Sequence, residues 1–234
     1  MVQSETEVLY LIRAPKINQV QEIYERVCNV AHGAAMMTGT ECEIVFNKAC
    51  SNYIPNGTLE TLLYHNFKEV GVPELDDEEK KFAKDIKKTL SATDINNDLQ
   101  MATEFTGGKT QKIVNALKEK DISDIILPYV YSSTLLSGST DVGDVSWIIP
   151  TAQFSVACNA FGTPAHSWQS VAQGATTFAH KGMLVAGKVL ARTVVDVLLN
   201  PAIVEKAKEE LRGILDGTAY VCPIPSDVKP SAIK

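Results

Sequence analysis

Residues 137–169 read SGSTDVGDVSWIIPTAQFSVACNAFGTPAHSWQ. This span holds two carboxylates, two tryptophans, a histidine and three glycines. Gly138, Gly143, Gly162, Pro150 and Pro164 interrupt it too often for one helix or one strand. Its pattern predicts a loop, a short helix, a strand over residues 153–159, a second loop and a helix. Ser139 or Thr140 is placed to cap the short helix that carries Asp141, Asp144 and Trp147. Asp141 and Asp144, three apart, share a helix face, and His166 falls on a Gly/Pro turn just before a helix. Ionisable side chains on loops at the ends of regular elements are where sites are commonly built.

Outward from that stretch, residues 7–13 (EVLYLIR) form a strongly apolar candidate strand that begins almost at Met1. A strand needs neighbours, so this placement predicts a chain that starts mid-domain. Ala14-Pro15 ends it, and Asn18 opens a predicted helix to about Thr38. Val20, Ile23, Tyr24, Val27, Val30, Ala31 and Ala34 follow the three-four spacing of one buried face. Residues 41–48 alternate apolar and polar as a half-buried strand. Residues 49–57 (ACSNYIPNG) are rich in turn formers and read as a hinge between domains. Residues 58–71 and 76–92 are expected to be helical, residues 93–110 a polar surface excursion, and residues 170–200 one long helix that Pro201 separates from the next. If that helix is continuous, His180 stands some four turns, roughly 20 Å, beyond His166.

Composition excludes several classes. A formal charge of −6 and a pI near 5.3 give no electrostatic case for nucleic acid or an anionic membrane. No apolar run approaches the roughly 20 residues that span a bilayer, and the first residues lack the layout of a signal peptide. Five cysteines without CxxC spacing indicate neither a disulfide framework nor a zinc ribbon, so the cytoplasm is the expected compartment. Gly107-Gly108-Lys109-Thr110 lacks the preceding glycine and strand of a phosphate loop, and no GxSxG is present. Taken singly, the residues of the 137–169 stretch have structural readings as well: Asp141 and Asp144 as helix-terminal acids, the tryptophans as core, His166 as a cap.

The runs GSTDVGDVSW, PTAQ, GTPAHSWQ and AHKGMLVAGKVLA, with EVLYLIRAP and TGTECEIVFNKACSNYIPNGTL nearer the start, resemble M20-family metallopeptidases and amidohydrolases. Within that family the chain is most similar to the branch acting on aminobenzoyl-glutamate. The resemblance implies an α/β fold. Residues 1–57 would be half of a ferredoxin-like (β-α-β-β-α-β) dimerisation or lid domain, and residues 58–234 the C-terminal part of a zinc-peptidase-like catalytic domain. It implies a divalent metal, zinc for instance, and cleavage of N-acyl or N-aroyl amino acids by a metal-activated water.

Carried over by position, His166 matches the family's final metal-binding histidine. Asp141 and Asp144 match residues that either support the metal ligands or orient the substrate in the pocket, and Ser139 and Trp147 match the substrate pocket. His180 matches a motif histidine to which no role attaches. A catalytic zinc normally takes three protein ligands. The single ligand matched here implies a chain that binds no metal and hydrolyses nothing alone. Its expected partners are an amino-terminal half or a partner subunit, together with a second copy of itself. The competing expectation is a non-catalytic assembly module that associates through residues 7–13, or an inactive remnant.

Overall fold

The computed structural model describes residues 3–107, 111–132 and 138–229. Gly108, Lys109 and Thr110 of the glycine-lysine run, Ser137 of the opening stretch and residues 230–234 lie outside them. All regular structure among the described residues is helical: α1 (Ile17–Thr38), α2 (Gly57–Val70), α3 (Asp77–Lys87), α4 (Ala92–Phe105), α5 (Gln111–Lys118), α6 (Val142–Ser146), α7 (Trp168–Gln173), α8 (Thr177–Leu199) and α9 (Pro201–Leu215). None of these is long and apolar enough to cross a membrane.

This overturns the expected α/β class. Residues 7–13, 41–48 and 153–159 carry no strand, and no sheet, whether of a zinc-peptidase domain or of half a ferredoxin-like domain, is present among the described residues. The physical reason lies in what alternation encodes. It tells which side chains share a face, whereas a strand exists only through ladder hydrogen bonds to a neighbouring segment. Residues 152–156 separate the two. Ala152, Phe154 and Val156 do point inward, against Leu63, Val185 and Val189, while Gln153 and Ser155 are exposed. The face was legible and the ladder is missing. Residues 8–11 lack even the inward face, since Val8, Leu9, Tyr10 and Leu11 are all largely exposed.

The chain divides into two units. One comprises Met1–Ile54, Thr134–Ile149 and Gly217–Lys234, the other Pro55–Ser133 and Pro150–Asp216. In the first unit α1 runs where its periodicity predicts. Its start is fixed by the Gln19 side chain, which accepts from the Lys16 N–H at 3.1 Å. Val20, Ile23, Tyr24, Val27 and Ala31 are only half-buried, Val30 and Ala34 are exposed, and no α1 residue is fully buried. Tyr24 meets Phe46 edge-on, with ring centroids 5.8 Å apart. The tightly packed part of this unit is where α6 meets residues 51–54: Ser51, Ile54, Gly143 and Ser146 are buried there.

The second unit holds the larger core. Helix α2 packs on α8 and α9, burying Leu63 against Val185 and Val189. Helices α3 and α8 enclose Ala83, Ile86, Phe178 and Ala179, with Ile122 and Ala160. Helices α4 and α5 enclose Ala102, Val114 and Leu117 with Phe161. The helix starts follow capping chemistry: Asn56 accepts from the Leu59 N–H, Asp76 and Glu79 form a reciprocal box, and Ser91 and Asp94 form another. That last box starts α4 inside the segment expected to be an irregular excursion. The helix is genuine because Ile95, Leu99 and Ala102, at four- and three-residue spacing, face the α4/α5 core. Three apolar residues among many polar ones made a weak periodic signal.

Residues 170–200 are likewise not one helix. Helix α7 ends near Gly174, and α8 starts afresh with Thr176 accepting from the Ala179 N–H. The continuous helix behind the His166–His180 separation is therefore absent.

Candidate functional site

The matched residues fall in both units, and each group is built differently. In the first unit the GDVSW run is docked on residues 51–54. Thr140 Oγ1 accepts from the Val142 N–H at 3.2 Å and opens α6. Gly143 lies so close to the neighbouring loop that a Cβ there would stand 2.2 Å from the Ser51 carbonyl oxygen. Only glycine permits that approach.

The Asp144 carboxylate accepts from the Ser51 N–H with both oxygens, at 3.2 Å each, and from the Tyr220 hydroxyl at 3.1 Å. Ser146 Oγ accepts from the Ile54 N–H at 2.8 Å and donates to the Gly143 carbonyl at 2.5 Å. The Trp147 indole N–H donates to the Asn52 carbonyl at 2.9 Å. Three alternating backbone groups of residues 51–54 are thus satisfied by side chains of α6 and its last turn. Ser139 and Asp141 are exposed on the approach to this helix, and Asp141 makes no capping bond.

The electrostatics of this corner are acidic. Burial pushes the Cys50 thiol up, and the negative charges of Asp144 and Asp141 push it further. The Tyr220 hydroxyl is raised as well, first by burial and then by its hydrogen bonds to Cys222 and Asp144. A thiol pushed up in this way ionises less readily than a free cysteine, which works against Cys50 as a nucleophile.

In the second unit His166 is exposed and takes a left-handed backbone, φ 59°. Non-glycine residues adopt that region sparingly, and its cost is met where the surroundings over-determine the turn. They do so here. The side chain of fully buried Gln173 accepts from the Ala160 N–H at 2.6 Å. It donates to Thr163 Oγ1 at 3.1 Å and to the Gln169 carbonyl at 2.9 Å. Asp98 accepts from the Gly162 N–H at 2.8 Å, and Phe161 N–H donates to the Asp121 carbonyl at 2.8 Å. Ser167 donates to the Pro164 carbonyl and caps α7. These bonds fix residues 160–163 and the turn from Pro164 to Ser167 that presents His166.

Residues 180–182 have a packing account. Lys181 Nζ reaches Glu79 Oε2 at 2.7 Å and the Glu74 carbonyl at 3.0 Å, tying α8 to the start of α3. Gly182 lets α8 lie against residues 157–158: a Cβ would stand 2.5 Å from the Ala157 carbonyl oxygen. Neighbouring His180 is exposed. The second unit also has an open cleft of about 590 Å³ lined by Leu62, His65, Asn66, Arg192 and Asp196 among others. Its buried Asn66 is fully engaged, donating to Thr193 and Asp196 and accepting from Arg192.

Among the described residues, no three His, Cys, Asp or Glu side chains converge to hold a metal ion. His166 by itself does not make a zinc site, which calls for three protein ligands in a catalytic centre. Sequence reasoning passed over Asp98, Gln173, Ser51, Ser146 and Tyr220. Gln173 sits in a helical stretch where it reads as an ordinary surface amide, and the others act through contacts distant in sequence.

No family model matches the chain, and no solved structure matches it. Among curated proteins, the chain is similar to one polypeptide of a hydrolase. That relative is a p-aminobenzoyl-glutamate hydrolase subunit of Escherichia coli, 45% identical over 236 aligned positions that take in all of this chain and 49% of the relative. The chain spans about half the length of the curated relative it matches. The likeness to the aminobenzoyl-glutamate branch read from the sequence motifs is borne out by this relative.

Proposed function

We propose that the chain is one part of a metal-dependent amide hydrolase that cleaves p-aminobenzoyl-glutamate, or a related N-aroyl or N-acyl amino acid, at its amide bond. The observation that carries this reading is the 45% identity to the E. coli hydrolase subunit along the whole chain. His166 is the residue assigned to the metal, a divalent cation such as zinc. Its exposed, left-handed turn held by Gln173 and Asp98 supports that role, because strain maintained by so many bonds collects at sites. The remaining ligands and the proton-transferring carboxylate belong to another polypeptide segment, so the chain alone is inactive. The relative's description as a subunit supports an assembly of more than one polypeptide. The cytoplasm is the compartment that suits five unpaired cysteines.

Ser139 and Asp141 are exposed at the head of α6, where the Ser139 hydroxyl is available to donate to a substrate carboxylate and Asp141 to accept from a substrate N–H. Asp144 and Trp147 shape that corner by fixing α6. The test replaces the matching half of the E. coli subunit with this chain and compares His166→Ala with the parent chimera. Bound metal per chain should fall, and release of p-aminobenzoate should drop by about a thousandfold or more. Full activity and full metal content after His166→Ala would remove the assignment.

A non-catalytic assembly module remains the second reading, favoured by the extent of exposed apolar side chains. It predicts association without turnover in the same chimera.

A further inference from the structure

Helix α8 has two apolar faces, set apart on one flank by Lys181, Lys188, Arg192 and Asp196. Phe178, Val185 and Val189 line its inner face in the core. On the opposite side Met183, Leu190, Val194 and Leu198 make a line at seven-, four- and four-residue spacing, flanked by Leu184 and Val195, and all six are exposed. Val194 is 56% and Leu198 73% exposed. No charged residue interrupts that line, which follows the seam of a helix built to pack on a partner. A row of this length on a folded surface marks an interaction site.

From this we infer that the outer stripe of α8 is the docking face for the polypeptide equivalent to the part of the E. coli hydrolase subunit that has no counterpart in this chain. Two observations select that occupant. At 45% identity the matched halves share their fold, and the relative carries about as much chain again beyond the match. His166 also needs further metal ligands, so the segment that completes the site has to lie against this chain; in this respect the inference rests on the hydrolase reading. Lipid is disfavoured, because no helix among the described residues is long and apolar enough to span a bilayer and the net charge is −6. A second copy of the chain would cover the stripe but bring no new ligand type.

The chain is co-expressed with that remainder of the E. coli subunit, and their association is read by co-purification and sedimentation. A stable one-to-one complex is expected, and Val194→Glu or Leu198→Glu should weaken it at least tenfold. Circular dichroism and melting of the free variants should match the parent, since both residues face solvent. Because the separate remainder has to fold, a second readout uses the full-length chimera. Hydroxyl-radical labelling of Met183 and Leu184 should be at least tenfold slower there than in the free chain.

Equal labelling in both, or a complex indifferent to the two glutamates, overturns the proposal. So does a free chain that dimerises through the stripe and is not displaced, or one that partitions onto neutral phosphatidylcholine vesicles. A complex that forms through this face yet hydrolyses nothing leaves the docking face standing and removes the hydrolase reading. An active chimera with a fully reactive stripe does the reverse.

Discussion

Asp144 draws together three segments far apart in sequence, through the Ser51 N–H and the Tyr220 hydroxyl. Removing a carboxylate that satisfies a part-buried N–H leaves the donor unpaired, which costs on the order of 1–3 kcal/mol. Asp144→Ala is therefore expected to lower the unfolding free energy by about that amount, seen as a reduced denaturant midpoint at unchanged slope. Gly143→Ala, which sets a methyl against the Ser51 carbonyl, should be at least as costly.

Glu79, 4% exposed, offers a pH test. Burial works to raise its carboxyl, but hydrogen bonds from Lys181 and the Asp76 N–H outweigh burial and hold it below the ordinary range. A carboxyl lowered in the folded state stabilises the fold above its unfolded value, about 4.3, and that contribution is lost as pH falls through the lowered folded value. Lys181→Met should cost about 3 kcal/mol near neutrality, the lower end for a broken buried pair because Nζ is partly in water. It should also flatten the acid limb of the stability profile; an unchanged limb would contradict the role given to the pair.

At this scale the irregular character of residues 138–169 was legible. The spacing around Asp141, Asp144, Trp147 and His166 marked the stretch as irregular and polar. What Asp144 and Trp147 bind was not legible, because Ser51, Asn52 and Tyr220 lie more than seventy residues away in the chain.

Elements tell a different story. Helix α1 was readable because its apolar residues recur at three-four spacing, and the span of α2 was expected to be helical as well. Of the expected strands, residues 152–156 were readable only as a pattern of faces: a ladder is a property of two segments, and sequence describes one at a time. The break between α7 and α8 escaped notice because Gly174 and Thr176 occur amid strong helix formers.

Helix α8 supplies a paired prediction. Its two glycines have opposite surroundings: a Cβ at Gly182 would meet the Ala157 carbonyl and Cys158 Sγ, and one at Gly187 would meet nothing within 4 Å. Gly182→Ala should destabilise by roughly 1–3 kcal/mol through overpacking. Gly187→Ala should stabilise by about 0.5–1 kcal/mol by lowering the entropy lost on forming the helix. Thermal melts of the two variants side by side check both signs. Equal shifts would contradict the packing of α8 on residues 157–158.

For the molecule as a whole, the two units present unequal degrees of burial. The second has three apolar clusters, whereas the first has a helix without one fully buried residue. The likeness to the aminobenzoyl-glutamate branch was the most legible property, since the motifs that carry it run from residue 7 to residue 191 and the relative matches along the whole chain. The fold class was the least legible, since it was inferred from the same resemblance and the described residues form helices alone.

The most direct measurement is the release of p-aminobenzoate from p-aminobenzoyl-glutamate, with saturating divalent metal, by the isolated chain and by the chimera in which it replaces the matching half of the E. coli subunit. The account predicts no turnover above the uncatalysed rate from the chain alone and steady turnover from the chimera. A chimera that folds and loads metal yet leaves the amide intact would contradict it, as would an isolated chain that cleaves the substrate unaided.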